Sequence, residues 1–376
     1  MGAPVSLRQL NRATLDRQAL LDRADGSAAA VVGRLAGLQA QHANAPYVAL
    51  WSRRRDQTLE DLEAALVDRS VVKATIMRST LHLVAASDFW ALDAACSSGR
   101  VGVWSATAKR LGVDLLELNA ELIDFCREPR TVAEMEAHLA EAFDGRLSGP
   151  DLPSGVRNSG FRMASAAGGL VHVPPSGLWK SHGRPSYQAA RAWLGDSPEL
   201  SSETGLATAV ERYLGAYGPA SEADIMKWAG ERRITKVRAA LQALGDRVVP
   251  SVGHDDRQLV DLAEHSVPAR DTSAPARFLS RWDSVLIAYD VRDRVLSDAY
   301  RPAVIKKNGD FLPTFLIDGF VAGLWSVEVN KGDADLRMEP FAKVPAADRR
   351  ALEAEGEELV RYVAPEAERH GVVWQT

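Results

Sequence analysis

The 376-residue sequence predicts an α+β protein of tandem modules, and three observations carry that expectation. Three stretches repeat one plan of helix, turn, helix and short strands. Residues 281–345 then switch to apolar/polar alternation, and Asn-Gly and Asp-Gly pairs punctuate that segment. With 46% hydrophobic residues, the chain is long enough for two to four compact modules, each with a core that offsets its ordering entropy.

The first repeat reads LEAALVDRSVVKATIMRSTLHLVAASDFWAL: an amphipathic helix, a basic second segment, then Thr80, Leu81, His82, Leu83 and Val84 alternating as a strand. The second opens at PRTVAEMEAHLAEAF, where Thr131 can cap a helix with Glu134 three residues on, and ends in the strand LVHVPP. The third opens at YGPASEADIMKWAG, with Ser221 and Asp224 as cap and capping partner. It continues as the helix ITKVRAALQAL and closes in VVPSV and RQLVDL. Helix, turn, helix and hairpin is the plan of a winged helix, whose second helix fits a DNA groove and whose wing touches the backbone. Tandem helix-turn-helix units also serve as protein–protein modules, so the pattern alone admits both kinds of partner. The spacing, roughly 90 residues, exceeds the 20–50 or so of a solenoid repeat, which makes the repeats separate domains over 1–119, 120–200 and 201–270.

The remainder, 271–376, changes character after ARDTSAPARF. Asn308-Gly309 separates AVIKK from DFLPTFLI, and Asp318-Gly319 separates FLPTFLI from FVAGLWSVEV; both pairs accept the positive dihedrals of tight hairpins. A small antiparallel sheet or barrel is expected, with ADRRALEAEGEELVRYVA packed on it as an amphipathic helix.

Net charge is −5, which on its own argues against nucleic acid, since phosphate rewards Lys and Arg. The balance is uneven: residues 1–120 carry 14 Lys and Arg against 12 Asp and Glu, whereas 346–376 carry 4 against 7. Any DNA face is therefore a local patch, and Arg53, Arg54 and Arg55 after Trp51 are either such a patch or a solvated run. Cys96 and Cys126 form no CxxC pair, which suggests neither disulfides nor zinc. The N-terminus lacks an apolar run behind its charges, and nothing approaches the roughly 18 apolar residues of a membrane span, so a soluble cytoplasmic protein is expected. Walker loop, GxSxG, HExxH and His-x-Glu signatures are all missing, and His42, His82, His172, His182, His254, His265 and His370 stand singly.

Within GLQAQHANAPYVALWSRR, Gln39 and Gln41 lie two apart where an apolar helix gives way to an Ala-, Asn- and Pro-rich turn. A pair at i and i+2 projects to one side of an extended segment and to different sides of a helix. Facing carboxamides therefore require extended backbone. Two polar residues closing a helix in water would give the same letters.

The strings LRQLNRATLDRQALLDR, GLQAQHANAPYVALW, VKATIMRSTLHLVA, YLGAYGPASEADIMKWAG and RWDSVLIAYDVRDRVL occur in that order. Through them the sequence resembles, over nearly its whole length, the winged-helix DNA glycosylases of the AlkZ type, relatives of the YcaQ group. A Gln-apolar-Gln triplet marks the AlkZ-like branch, whereas YcaQ-like members carry Asp at the third position; Gln39-Ala40-Gln41 fits the first.

The resemblance implies three tandem winged helices arranged as a C with a C-terminal β-barrel. It implies excision of bulky 7-alkylguanine adducts from duplex DNA, unhooking of interstrand crosslinks, and self-resistance in producers of alkylating natural products. Gln39 and Gln41 become the catalytic pair. A carboxamide does not titrate usefully but can hold a water, and a cationic base needs no general acid. Water is then the nucleophile of a monofunctional, monomeric hydrolase that uses no Schiff base, metal or cofactor. The residues expected to contact DNA are Asn11 and Arg12, Arg53 and Arg54, Arg78, Thr80 and His82, Arg157 and Asn158, and Lys306 and Lys307. Two other readings predict no base release: a sequence-specific transcription regulator and a protein–protein scaffold.

Overall fold

The computed structural model describes residues 4–147, 156–181, 183–196, 198 and 200–375; His182 lies outside them. Among the described residues, four capping boxes start helices: Ser6 with Gln9, Thr58 with Asp61, Thr131 with Glu134 and Ser221 with Asp224. Each satisfies two backbone or hydroxyl donors that a helix start would otherwise leave open.

The strands of the first two repeats share one six-stranded sheet. Its order is Leu38–Gln39, Leu81–Ala85, Val71–Thr75, Leu170–Val173, Ser186–Ala189 and Arg130–Thr131. In the first repeat the basic segment forms a strand, because Val71, Val72 and Thr75 are β-branched. That strand meets the second repeat antiparallel at Lys73 and His172, which closes two apolar edges that separate wings would leave open. The 26-residue helix Ala86–Leu111 follows the sheet and ends at the left-handed Gly112.

The third repeat comprises helices Ser202–Tyr217, Glu222–Ala229 and Ile234–Leu244 and the hairpin Val248–Val252/Gln258–Leu262. Its core runs into the C-terminal region through buried tyrosines. The Tyr213 hydroxyl donates to the Ala288 carbonyl at 3.0 Å, and that of Tyr289 to Tyr217 at 2.8 Å. Among the described residues, no helix is long and apolar enough to cross a membrane.

The C-terminal region corrects the expected barrel. Five strands form an open sheet ordered Arg369–Trp374, Asp333–Pro340, Phe320–Asn330, Thr314–Ile317 and Arg277–Leu279. The last strand pairs parallel to its neighbour, because helix Ala346–Val363 crosses over one face before the chain returns. Leu352, Leu359 and Val360 of that helix pack on Phe278, Phe315 and Leu336. Asp318 and Gly319 make the expected two-residue turn, both at positive φ. Asn308-Gly309, by contrast, closes a single bridge between Ile305 and Phe311.

Three of the residues expected on DNA are structural instead. Asn11 in helix Leu7–Arg17 is fully buried, and its amide donates to the carbonyls of Arg294 at 2.7 Å and Gly319 at 2.8 Å. Arg12, also fully buried, donates to the carbonyls of Thr272 at 2.7 Å and Asp318 at 2.9 Å and pairs with the Asp318 carboxylate. A Cβ at Gly319 would lie 2.5 Å from the Asn11 oxygen, so only glycine admits this contact. Arg53 forms a two-bond pair with Asp283, at 3.0 and 2.7 Å, with neither side chain exposed. No phosphate reaches a guanidinium enclosed in this way. Arg54 is half-buried and engaged at the start of helix Leu59–Val67, with Asp61 at 2.9 Å and the Gly26 carbonyl at 2.7 Å.

Removing one member of a buried pair strands the other's charge, at about 3–5 kcal/mol. Arg53→Ala should therefore lower unfolding free energy in urea by about 3 kcal/mol and leave the salt dependence of DNA binding unchanged. A smaller salt slope with normal stability would return Arg53 to the DNA face.

Candidate active site around Gln39 and Gln41

Gly37, at φ 94°, turns the chain out of helix Ala28–Arg34 into the short strand Leu38–Gln39. Leu38 pairs with Leu83 and Gln39 with His82, and the Ala40 amide donates to the Leu81 carbonyl at 2.7 Å. Gln39 thus stands on extended backbone, and Gln41 lies in the bend just beyond the strand. Their environments differ: Gln39 is 4% exposed, and Gln41 is open to solvent.

Gln39 is held by Arg78, Thr80 and His82, which turn inward. Arg78 and Ser79 are both left-handed, at φ 54° and 58°, in the turn that follows strand Val71–Thr75. Two such non-glycine residues each cost on the order of 1 kcal/mol or more, so the surroundings must impose the conformation. The Arg78 side chain supplies that constraint. Its Nη1 donates to the Trp228 carbonyl at 3.0 Å, and its Nη2 to Gln39 Oε1 at 2.9 Å, with His82 Nε2 at 3.3 Å. Gly230 at the end of helix Glu222–Ala229 lets the third repeat close over this turn, since a Cβ there would lie 2.9 Å from the Arg78 amide nitrogen.

Burial pulls the Arg78 guanidinium down to about 10, and the acceptors named above are all neutral. Burial, then the Arg78 charge, pushes His82 down to about 3. Its ring is therefore neutral, with Nδ1 donating to the Thr80 carbonyl at 3.0 Å and Nε2 free to accept from Arg78. The Thr80 hydroxyl donates to the Met77 carbonyl at 3.0 Å and accepts from Gln39 Nε2 at 3.2 Å. These donors and acceptors fix the Gln39 carboxamide, with oxygen toward Arg78 and nitrogen toward Thr80.

Gln41 accepts weakly from the Leu81 amide, at 3.4 Å, and lines a cleft of about 290 Å³. Arg100, Trp104, Phe161 and Tyr187 line the same cleft and were not expected from sequence. A signal existed for two of them, because Arg100 and Trp104 share a face of the long helix at i and i+4. The aromatics of the second repeat carried none. His42, the next residue, lines a second cleft of about 500 Å³ with Arg281 and Trp325.

Among the other expected contacts, Arg157 and Asn158 are exposed ahead of helix Ser159–Ala164, and Lys306 and Lys307 are exposed on the Asn308-Gly309 turn. Elsewhere, His254, Asp255 and Asp293 hold potential metal-ligand atoms within 4.8 Å. Arg257 already supplies a cation there, 2.5 Å from Asp255 and 3.2 Å from Asp293.

Similarity to known proteins is extensive. The sequence profile of the family described as DNA glycosylase AlkZ-like matches residues 32–362. The chain is 28% identical over 383 aligned positions to the interstrand DNA cross-link repair glycosylase of Streptomyces sahachiroi, covering 95% of this chain and 96% of the relative. The solved structure of the Streptomyces sahachiroi DNA glycosylase AlkZ superposes with a TM-score of 0.82 at 25% identity, over 99% of this chain and 100% of that one. A profile match across most of the chain and a full-length structural match lead to one conclusion: the chain belongs to the AlkZ-like family of DNA glycosylases.

Proposed function

We propose that this protein hydrolyses the N-glycosidic bond of 7-alkylguanine in duplex DNA, including bulky adducts and interstrand crosslinks, as a monofunctional monomeric enzyme. The observation that carries the reading is the asymmetry of the glutamine pair: one carboxamide locked by Arg78 and Thr80, the next open at a cleft. The three helical repeats, over 1–119, 120–200 and 201–270, act as winged helices in a C around the duplex, and 271–376 buttresses them. Arg157, Asn158, Lys306 and Lys307 contact phosphates. Arg78, Thr80 and His82 serve the site by orienting Gln39.

Alkylation at N7 makes the base a cation and a good leaving group, so departure needs no proton from the enzyme. Gln41 Oε1 holds a water against the anomeric carbon. The water oxygen bonds to that carbon, the bond to N9 breaks with its electron pair going to the base, and the water's proton passes to solvent. Gln39, its carboxamide held by Arg78 and Thr80, limits the positions that water can take. Positioning of this kind supplies on the order of 7 kcal/mol when geometry is ideal.

The test is incubation with duplex containing 7-methylguanine or a crosslink, scoring free base and abasic sites. Gln41→Ala should slow single-turnover release by about 100-fold, the scale of a lost positioning group. Wild-type release with both glutamines replaced by alanine would remove the proposal.

The pH profile follows from groups that do not titrate in the working range. His82, held near 3, is neutral above about pH 4, and Arg78, held near 10, stays charged below about pH 9. Release corrected for spontaneous loss should be flat from about pH 5 to 6.5, where an active histidine base of ordinary pKa near 6.5 would give a rising limb. Gln41→Asp should retain activity but lose it as pH falls through the carboxylate range near 4, because only the ionised form holds the water.

Lys306→Ala with Lys307→Ala should weaken DNA binding for all sequences and reduce the slope of log affinity against log salt by about 1 to 2, given about 0.9 per phosphate contact. An unchanged slope would take that turn off the DNA.

A further inference from the structure

The cleft beside Gln41 has a composition that water positioning does not require. Trp104 from the long helix, Phe161 from helix Ser159–Ala164 and Tyr187 from strand Ser186–Ala189 line it, each half-buried. Phe161 and Tyr187 meet at 5.1 Å between ring centroids with planes at 60°. Tyr187 is backed by His172 at 4.1 Å, and burial, the larger effect, pushes the His172 ring down to about 3, so a neutral imidazole stands behind it.

The cleft is also rigidly founded. Arg100, one turn before Trp104, is buried and donates to the carbonyls of Ala166 at 3.1 Å and Thr75 at 3.2 Å and to Asp93 at 2.6 Å. It thereby ties the long helix, the second repeat and strand Val71–Thr75 into one floor, with its charge matched by Asp93. Arg162, on the rim, is exposed, as is nearby Arg157, whose carbonyl accepts from the Arg162 Nε at 3.1 Å.

We infer that this cleft is a lesion-recognition subsite: it takes a planar aromatic ring of the damaged nucleotide between Trp104, Phe161 and Tyr187, while Arg162 meets the flanking phosphate. This rests on the glycosylase reading and deepens it. The volume of about 290 Å³ accepts one fused ring system. Aromatic faces attract an electron-poor or cationic ring and are indifferent to its hydrogen-bonding edge. Two sources present a planar aromatic face: the cationic alkylated guanine itself, rolled out of the stack, and an aromatic group attached at N7.

The experiment measures single-turnover base release, with enzyme below saturation so that lesion capture is part of the rate, from two duplexes, one containing 7-methylguanine and one containing 7-benzylguanine. Trp104 and Tyr187 also pack in the core of the second repeat, so each is replaced by leucine, which keeps apolar bulk and removes the π face, and urea midpoints are recorded alongside. Trp104→Leu and Tyr187→Leu should each reduce release by about tenfold, the worth of one stacking contact, with Trp104→Phe staying near wild type. A loss confined to 7-benzylguanine assigns the cleft to the appended ring. An equal loss on both duplexes assigns it to the guanine. Wild-type release from both duplexes by both leucine variants would overturn the subsite, as would Trp104→Phe failing as badly as Trp104→Leu. A wild-type protein that releases neither base would instead remove the glycosylase reading itself.

Discussion

The polar face of helix Leu7–Arg17 is the constraint on which the remaining architecture depends. Asn11 and Arg12 clasp the Asp318-Gly319 turn, and Arg17 pairs with Asp261 at 2.6 and 2.7 Å while donating to the Leu214 carbonyl at 2.8 Å. Arg34, in the helix that leads to the glutamines, reaches back to the carbonyls of Asp16 at 2.7 Å and Arg17 at 3.2 Å. One 11-residue helix thereby fixes the C-terminal sheet, the third repeat and the approach to Gln39 in a single frame. Apolar side chains of similar size would pack there without penalty, yet they would tolerate several docking angles. Guanidinium forks and carbonyls favour fewer, because a buried donor left without an acceptor is costly.

That frame explains which parts of the fold were legible in the sequence. Caps are local: Thr131 with Glu134 and Ser221 with Asp224 read correctly because both partners lie within one turn. The Asp318-Gly319 hairpin read correctly for the same reason. Arg12 and Arg53 misled because their partners are hundreds of positions away, at Asp318 and Asp283. A buried arginine and a DNA-binding arginine are the same letter, and nothing within the helix period separates them. The choice between sheet and barrel escaped for a related reason: alternation marks strands, whereas closure depends on which edges meet. The final strand Arg369–Trp374, short and following an acidic helix, gave no turn signal at all.

At the site, spacing disclosed the Gln39–Gln41 pair, but not the division between a buried, fixed carboxamide and one open to solvent. That division comes from Arg78 and His82, whose roles depend on burial. An exposed Arg78 would be an ordinary phosphate contact. Enclosed against the Trp228 carbonyl with a neutral histidine as acceptor, it orients a carboxamide instead. The third repeat supplies that carbonyl and the close passage at Gly230, so Gln39 is correctly placed only once distant parts of the chain have docked.

The chemistry proposed for this site gives a reason for its separation into two zones. As the bond to N9 stretches, positive charge leaves the purine and appears on the sugar. Groups that touch the purine therefore interact most strongly before the transition state, and contacts of that kind select a substrate without accelerating its reaction. Groups on the sugar side act on charge and bonding that exist only near the transition state, and these lower the barrier. In the mechanism proposed above, the aromatic cleft of Trp104, Phe161 and Tyr187 governs which lesion is accepted, and Gln41, standing at its wall, governs how fast the bond breaks. A carboxylate at position 41 would attract the cation on both sides of the barrier. A neutral carboxamide leaves the cationic ground state less tightly held and reserves its contribution for the attacking water.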